Sequence, residues 1–177
     1  MLTPINMAGK GLELIARKTA QEAVENADIV IVCTACKNHV DVIKNDWVKP
    51  GMHINGLGGD CPGKTELELD ILFRSKVVVE FTPQSKVEGE IQWLNDVEIN
   101  DVLHAELWEL ITGKKAARET ETEVTVFDSV GFALEDYSAL RLTYDLAQKY
   151  GLGTDVGVIP PLSDPKNLIS VLANPVI

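Results

Sequence analysis

The run Ile29-Val30-Ile31-Val32, set in the stretch Asp28 to Cys33, is β-branched throughout and never alternates with polar residues. A strand of that kind is expected where helices cover both faces of a sheet, the habit of parallel sheets rather than of antiparallel meanders. Further apolar runs at Met52 to Leu57, Lys76 to Phe81 and Glu123 to Phe127 are separated by amphipathic stretches, so the pattern predicts an α/β fold with crossover helices. A helix is predicted near Thr19, where Thr19 and Glu22 have capping-box spacing and Ala20, Ala23, Val24 and Ala27 form one apolar stripe. Others are predicted over Glu66 to Arg74, started by a Thr65/Glu68 capping box, over His104 to Thr112, and over Phe132 to Tyr150. In the last, Leu134, Tyr137, Leu140, Arg141, Tyr144 and Ala147 recur at helical spacing and Gly151 offers a stop. Pro160, Pro161 and Pro165 mark a tail.

Charge narrows the partners. A net charge of −11 with scattered lysines and arginines repels nucleic-acid backbones and anionic lipid, so neither nucleic acid nor a membrane is an expected partner. No apolar run approaches the roughly 20 residues needed to span a bilayer, and no secretory pattern stands at the N-terminus, so a cytoplasmic location is expected. Cys33 and Cys36 form a C-x-x-C, but no second pair and no histidine cluster accompanies it. Cys33 is therefore read as a small buried hydrophobe, Cys61 as packing in a loop, and no metal is expected. His39, His53 and His104 have no ligand spacing between them and are read as structural.

One loop concentrates the chemistry. Asn55-Gly56-Leu57-Gly58-Gly59-Asp60-Cys61-Pro62-Gly63-Lys64 follows a predicted strand and carries four glycines, a carboxylate and a lysine. Glycine lets a backbone approach a bound group closely, and Asp60 and Lys64 add a proton-handling group and a positive charge. Ligands of open α/β sheets bind at the carboxyl ends of strands, which singles out Thr34, Asp60 and Ser129 after three of the predicted strands. For Asp60 the bland alternative is a helix cap, for Lys64 a solvated side chain, and for Thr34 and Ser129 the satisfaction of local backbone groups.

The stretch Gly58-Gly59-Asp60-Cys61-Pro62-Gly63-Lys64-Thr65-Glu66-Leu67 resembles the signature of the ornithine cyclodeaminase and mu-crystallin family. The stretches Val79-Glu80-Phe81-Thr82-Pro83-Gln84, Glu88-Gly89-Glu90-Ile91-Gln92 and Thr125 to Tyr137 are similar to it as well, so the resemblance runs from about Ala16 to about Leu152. It implies a partial Rossmann-like, doubly wound parallel sheet lacking its first βαβ unit and glycine fingerprint, over 1–131, and a C-terminal helix and tail over 132–177. That tail would return to a substrate domain expected to lie outside this sequence. The resemblance further implies that Thr34, Leu57, Gly58, Gly59, Asp60, Lys64 and Ser129 contact NAD, that Asp60 and Val130 reach the substrate, and that a homodimer forms.

The implied chemistry is a lyase reaction on L-ornithine. NAD takes a hydride from the α-carbon and later returns it, the δ-amine closes a five-membered ring, and L-proline and ammonia leave. Asp60 is the residue expected to move protons, with its acidity weakened by desolvation in a closed pocket. Two alternatives stay open: an imine reductase or alanine dehydrogenase on the same cofactor domain, and a binding module without chemistry of its own.

Overall fold

The computed structural model describes residues 14–34 and 38–156, and these fall into two compact units, Met1–Phe132 and Ala133–Ile177. In the first, five parallel strands form one sheet: β1 (Ile29–Val32), β2 (His53–Gly56), β3 (Lys76–Val79), β4 (Leu103–Glu106) and β5 (Thr125–Asp128), in the order β1-β2-β5-β3-β4. The four strand regions expected from the sequence are all present, one or two residues shorter. Helix α1 (Ala20–Val24) precedes β1, and the crossovers carry short helices α2 (Asp70–Phe73), α3 (Thr82–Glu88), α4 (Asp96–Val102) and α5 (Leu107–Ile111). Register aligns the strand ends: Val32 lies beside Gly56, Gly56 beside Asp128, and Asp128 beside Val79. The residues that follow these four positions therefore emerge along one rim of the sheet.

One face of the sheet is the core. Val30, Val32, Ile54, Val77, Val79 and Val126 point into it and meet Ile43, Met52, Leu67, Ile71, Leu72, Ile91 and Ile99, all buried. Burying side chains of this size stabilises by about 1.5–3 kcal/mol each, which outweighs the weak propensities of such short elements. The opposite face of β1 contradicts the expectation of two-sided cover: Ile29 is 64% and Ile31 61% exposed. Among the described residues β1 is an edge strand, pairing with β2 alone, and only its alternate residues meet the core. Cys33, just past it, is likewise exposed rather than buried, and Cys61 is half-buried. Cys36 lies outside the described residues, as does the Pro160 to Pro165 segment.

Three further expectations need correction. No helix begins at Glu66, because residues 65–68 run extended beside 40–43: the Val40 and Val42 N–H groups donate to the Thr65 and Glu66 carbonyls, and Glu68 N–H donates to Ile43. Glu68 consequently accepts from the Asn45 N–H instead of capping a helix, and only Asp70–Phe73 is helical. The stretch from His104 starts as strand β4 paired with β3, and its helix begins three residues later, held by a Glu106/Glu109 capping box. Helices α3 and α4 had no periodic signal strong enough to announce them, although α4 carries a complete Asn95/Glu98 capping box. The Thr19 cap is as expected, its hydroxyl accepting from Glu22 N–H at 3.2 Å.

The second unit is the helix α6 (Ala133–Tyr150). It ends at Gly151, whose φ of +62° turns the chain out of the helix, with Leu152 N–H reaching back to the Ala147 carbonyl. Among the described residues no helix is long and apolar enough to cross a membrane.

Candidate functional site

The rim places Thr34 after β1, Leu57 to Asp60 after β2, and Ser129 and Val130 after β5, on three adjacent strands. Thr34, Leu57 and Asp60 are exposed, Ser129 and Val130 half-buried, and Gly58, Gly59 and Lys64 buried. The expected site residues thus share one edge of the sheet, but only some of them offer a surface to a ligand.

Lys64 is the clearest departure. Its side chain is 6% exposed and its ammonium sits 2.9 Å from an Asp60 carboxylate oxygen. That hydrogen bond raises Lys64 above the ordinary lysine range and holds Asp60 below the ordinary carboxylate range. The upward tuning expected of Asp60 is absent for a physical reason: the carboxylate is 58% exposed and meets a cation. Lys64 is therefore engaged within the loop, with one of its three ammonium donors taken by Asp60. Asp60 is left as an ionised acceptor at the rim.

Beneath the rim lie four buried carboxyl groups that the residue pattern did not reveal. Glu66, Glu90 and Asp128 are 0–2% exposed and Glu80 9%. Among the described residues none of the four has an ion-pair partner within 4.0 Å. They accept instead from hydroxyls and backbone amides. Asp128, ending β5, takes the Glu90 N–H at 2.9 Å. Glu90 in turn takes the Glu66 N–H at 3.0 Å and the Leu67 N–H at 3.0 Å. Glu66 takes the Thr34 hydroxyl. Glu80, following β3, takes the Ser129 hydroxyl at 2.5 Å and the Val130 and Gly131 N–H groups at 3.1 and 2.9 Å. Burial pushes Glu90 up to about 8 and Asp128 up to about 7, and the neighbouring acids push the same way. Glu80 and Asp128 each close a β-branched or apolar strand run, which is a legible signal for a carboxylate at a strand end; Glu66 and Glu90 had none.

The glycines serve this layer. A Cβ on Gly58 would lie 1.5 Å from Glu66 Oε2, and one on Gly59 would lie 3.1 Å from Glu90 Oε1. Neither glycine has positive φ. The close approach that the loop makes is to its own buried acids, and Glu66 Oε2 has no hydrogen-bond partner there. Outside that packing, the exposed edge of Thr34, Leu57 and Asp60 remains open and suits the uncharged, hydroxyl- and amide-bearing part of a dinucleotide better than its phosphates. The histidines have structural partners: His39 and His53 meet the Thr65 and Thr125 hydroxyls, and His104 meets the Ala116 carbonyl. Among the described residues no group of three His, Cys, Asp or Glu is placed to hold a metal ion.

Comparison with known proteins gives a consistent picture. The model of the Ornithine cyclodeaminase/mu-crystallin family matches residues 4–151. An ornithine cyclodeaminase of Brucella suis is 45% identical over 168 residues, which cover 94% of this chain and 46% of that protein. Among solved structures, an archaeal alanine dehydrogenase dimer with bound NAD superposes with a TM-score of 0.68 at 34% identity, over 80% of this chain and 44% of that one. A lysine cyclodeaminase, studied for its recognition of L-lysine, L-ornithine and L-2,4-diaminobutyric acid, gives a TM-score of 0.68 at 33% identity, over 82% and 42%. The chain spans about half the length of the curated relatives it matches.

Proposed function

The chain belongs to the ornithine cyclodeaminase/mu-crystallin family, with a Rossmann-like α/β fold, and from that premise we propose that it is the cofactor-side part of an NAD-dependent cyclodeaminase that converts L-ornithine to L-proline and ammonia. The observation that carries this reading is the assembly of Thr34, Leu57, Asp60 and Ser129 on one rim of three adjacent strands, within a segment 45% identical to an ornithine cyclodeaminase. NAD, when bound, would supply the acceptor and later the donor of a hydride.

The chain's own part is orientation and proton handling. Asp60, kept ionised by Lys64, is suited to accept a hydrogen bond from a substrate ammonium and hold the amine in place; as a proton acceptor it is weakened by the same lysine, so the proton transfer we assign to it requires that pair to loosen when substrate binds. Its negative charge also favours a cationic diamino acid at the rim over a neutral side chain. Leu57 gives an apolar surface beside it, against which a ring can lie. Val130, half-buried beside Ser129, would border the substrate.

A second reading, a net dehydrogenase or imine reductase, is favoured by the likeness to alanine dehydrogenase. Incubating the full-length protein that contains this sequence with L-ornithine and catalytic NAD separates the two. Proline and ammonia without NADH accumulation support the cyclodeaminase; NADH formation in step with substrate loss overturns it.

A further inference from the structure

Both hydroxyls on the rim have already used their one proton. The Thr34 hydroxyl donates to Glu66, and the Ser129 hydroxyl donates to Glu80 at 2.5 Å. A hydroxyl has a single O–H and two acceptor lone pairs, so each side chain has only acceptor capacity left for anything outside the protein. The inward partners are firmly placed. Glu66 is fully buried, with its other oxygen against Gly58. Glu80 is buried, and its other oxygen already receives the Val130 and Gly131 N–H groups. Rotating either hydroxyl outward to donate to a ligand would strip a buried carboxylate of a donor, at a cost comparable to the bond gained.

We infer that Glu66 and Glu80 are positioning residues that fix the polarity of the ligand-facing rim. Thr34 and Ser129 meet the ligand as hydrogen-bond acceptors only, so the groups they recognise carry N–H or O–H donors. This rests on the NAD reading above; because β2 lies between β1 and β5, the two hydroxyls stand about 10 Å apart, and within that reading one of them meets the primary carboxamide of the nicotinamide, whose N–H donors a carbonyl or methyl in the same place would not supply.

The test compares NAD with 3-acetylpyridine adenine dinucleotide, in which a methyl replaces the amide NH2, by calorimetric titration of the 177-residue chain. A missing neutral hydrogen bond that leaves its partner unsatisfied corresponds to about a tenfold loss of affinity, so NAD is expected to bind about tenfold more tightly than the analogue. In E66Q and E80Q the glutamine can turn its NH2 toward the hydroxyl, which reverses the hydroxyl and lets it donate outward. The tenfold preference then collapses toward one in at least one of the two variants, a change that mere loosening of the rim would not produce. If a glutamine variant does not fold, T34V and S129A, which leave both carboxylates in place, are expected to collapse the preference in the same way. A wild-type preference near one, or a preference that survives all four substitutions, overturns the inference. Proton NMR provides a readout independent of binding: hydroxyl resonances of Thr34 and Ser129, slowed by their carboxylate partners, are expected in the wild-type chain and lost in E66Q and E80Q respectively. Their absence in the wild type overturns the inference even where a dinucleotide binds. Their presence without any NAD binding upholds the hydroxyl orientation and refutes the dinucleotide reading for this chain.

Discussion

Replacing Gly58 with alanine separates two reasons for a glycine at that position. If the residue is small so that a ligand can approach, G58A weakens binding and leaves the fold unchanged. The structure gives the other reason: the new Cβ would lie 1.5 Å from Glu66 Oε2, 2.1 Å from its Cδ and 2.7 Å from Oε1. The whole carboxyl group must move, and it is enclosed, at 0% exposure. Overpacking of this kind costs about 1–3 kcal/mol. Displacing Glu66 also separates it from the Thr34 hydroxyl and leaves a buried polar group unpaired, worth about 1–3 kcal/mol more. The sum, about 4 kcal/mol, is a large share of the roughly 5–15 kcal/mol that holds a domain of this kind. With a urea dependence of about 2 kcal/mol per molar, the unfolding midpoint should fall by about 2 M. Removing the obstruction should restore part of the loss, so G58A/E66A is expected to be about 1–3 kcal/mol more stable than the sum of its single variants. A G58A midpoint within about 0.5 kcal/mol of wild type, or strict additivity in the double variant, would refute the packing argument.

Stability should fall as pH rises from about 5 to about 8. Burial raises Glu90 from 4.5 to about 8 and Asp128 from 3.8 to about 7, so in this window the folded chain holds protons that the unfolded chain has released. The slope is at most about 1.4 kcal/mol per pH unit for each proton, and E90Q should flatten it; urea midpoints that rise with pH would contradict the assignment. D60N should lower turnover of the full-length protein by about 10²–10⁴, and because it removes the counter-ion of the buried Lys64 ammonium it should also lower the unfolding midpoint of this chain, which D60N/K64M should recover in part. In K64M, carboxyl NMR should find Asp60 titrating closer to an ordinary carboxylate, and an unmoved Asp60 would remove Lys64 as the cause of its lowered pKa. N95A should cost about 1 kcal/mol by opening the capping box of α4, measurable as a shift in midpoint without a change in slope.

What the residues disclosed follows a physical division. Strands β1, β2, β3 and β5 were legible because β-branched runs bounded by turn residues have few other homes, and α6 because its spacing persists for 18 residues. β4 was hidden because Leu103-His104-Ala105-Glu106, although it alternates, is only four residues long and contains no β-branched or aromatic residue; its state is set by pairing with β3, a partner distant in sequence. The same holds for Glu66 to Glu68, whose capping-box spacing lost to backbone pairing with 40–43. Local propensities amount to tenths of a kcal/mol per residue, and tertiary hydrogen bonds override them. The site divides along the same line: Thr34, Asp60 and Ser129 follow from strand ends, whereas the roles of Glu66 and Glu90 exist only once the chain has folded.

The buried acids explain why so much of this loop is glycine and so little of it is positive. A cation beside Glu66, Glu80, Glu90 or Asp128 would relieve their desolvation, yet the one lysine in the loop is turned to Asp60. Backbone amides and hydroxyls do the work instead, from four stretches of chain, 34, 66–67, 90–91 and 129–131, of which the first and last carry rim residues. A lysine or arginine would satisfy the same charge with a flexible side chain that fixes nothing else. An amide or hydroxyl satisfies it only when its own strand end is in register. Desolvated acids without counter-ions are thus costly to stability, and Glu90 and Asp128 retain protons in consequence, but they tie four separate stretches of chain to one geometry, and that geometry is what a rim of three strand ends needs in order to present Thr34, Asp60 and Ser129 to a single ligand.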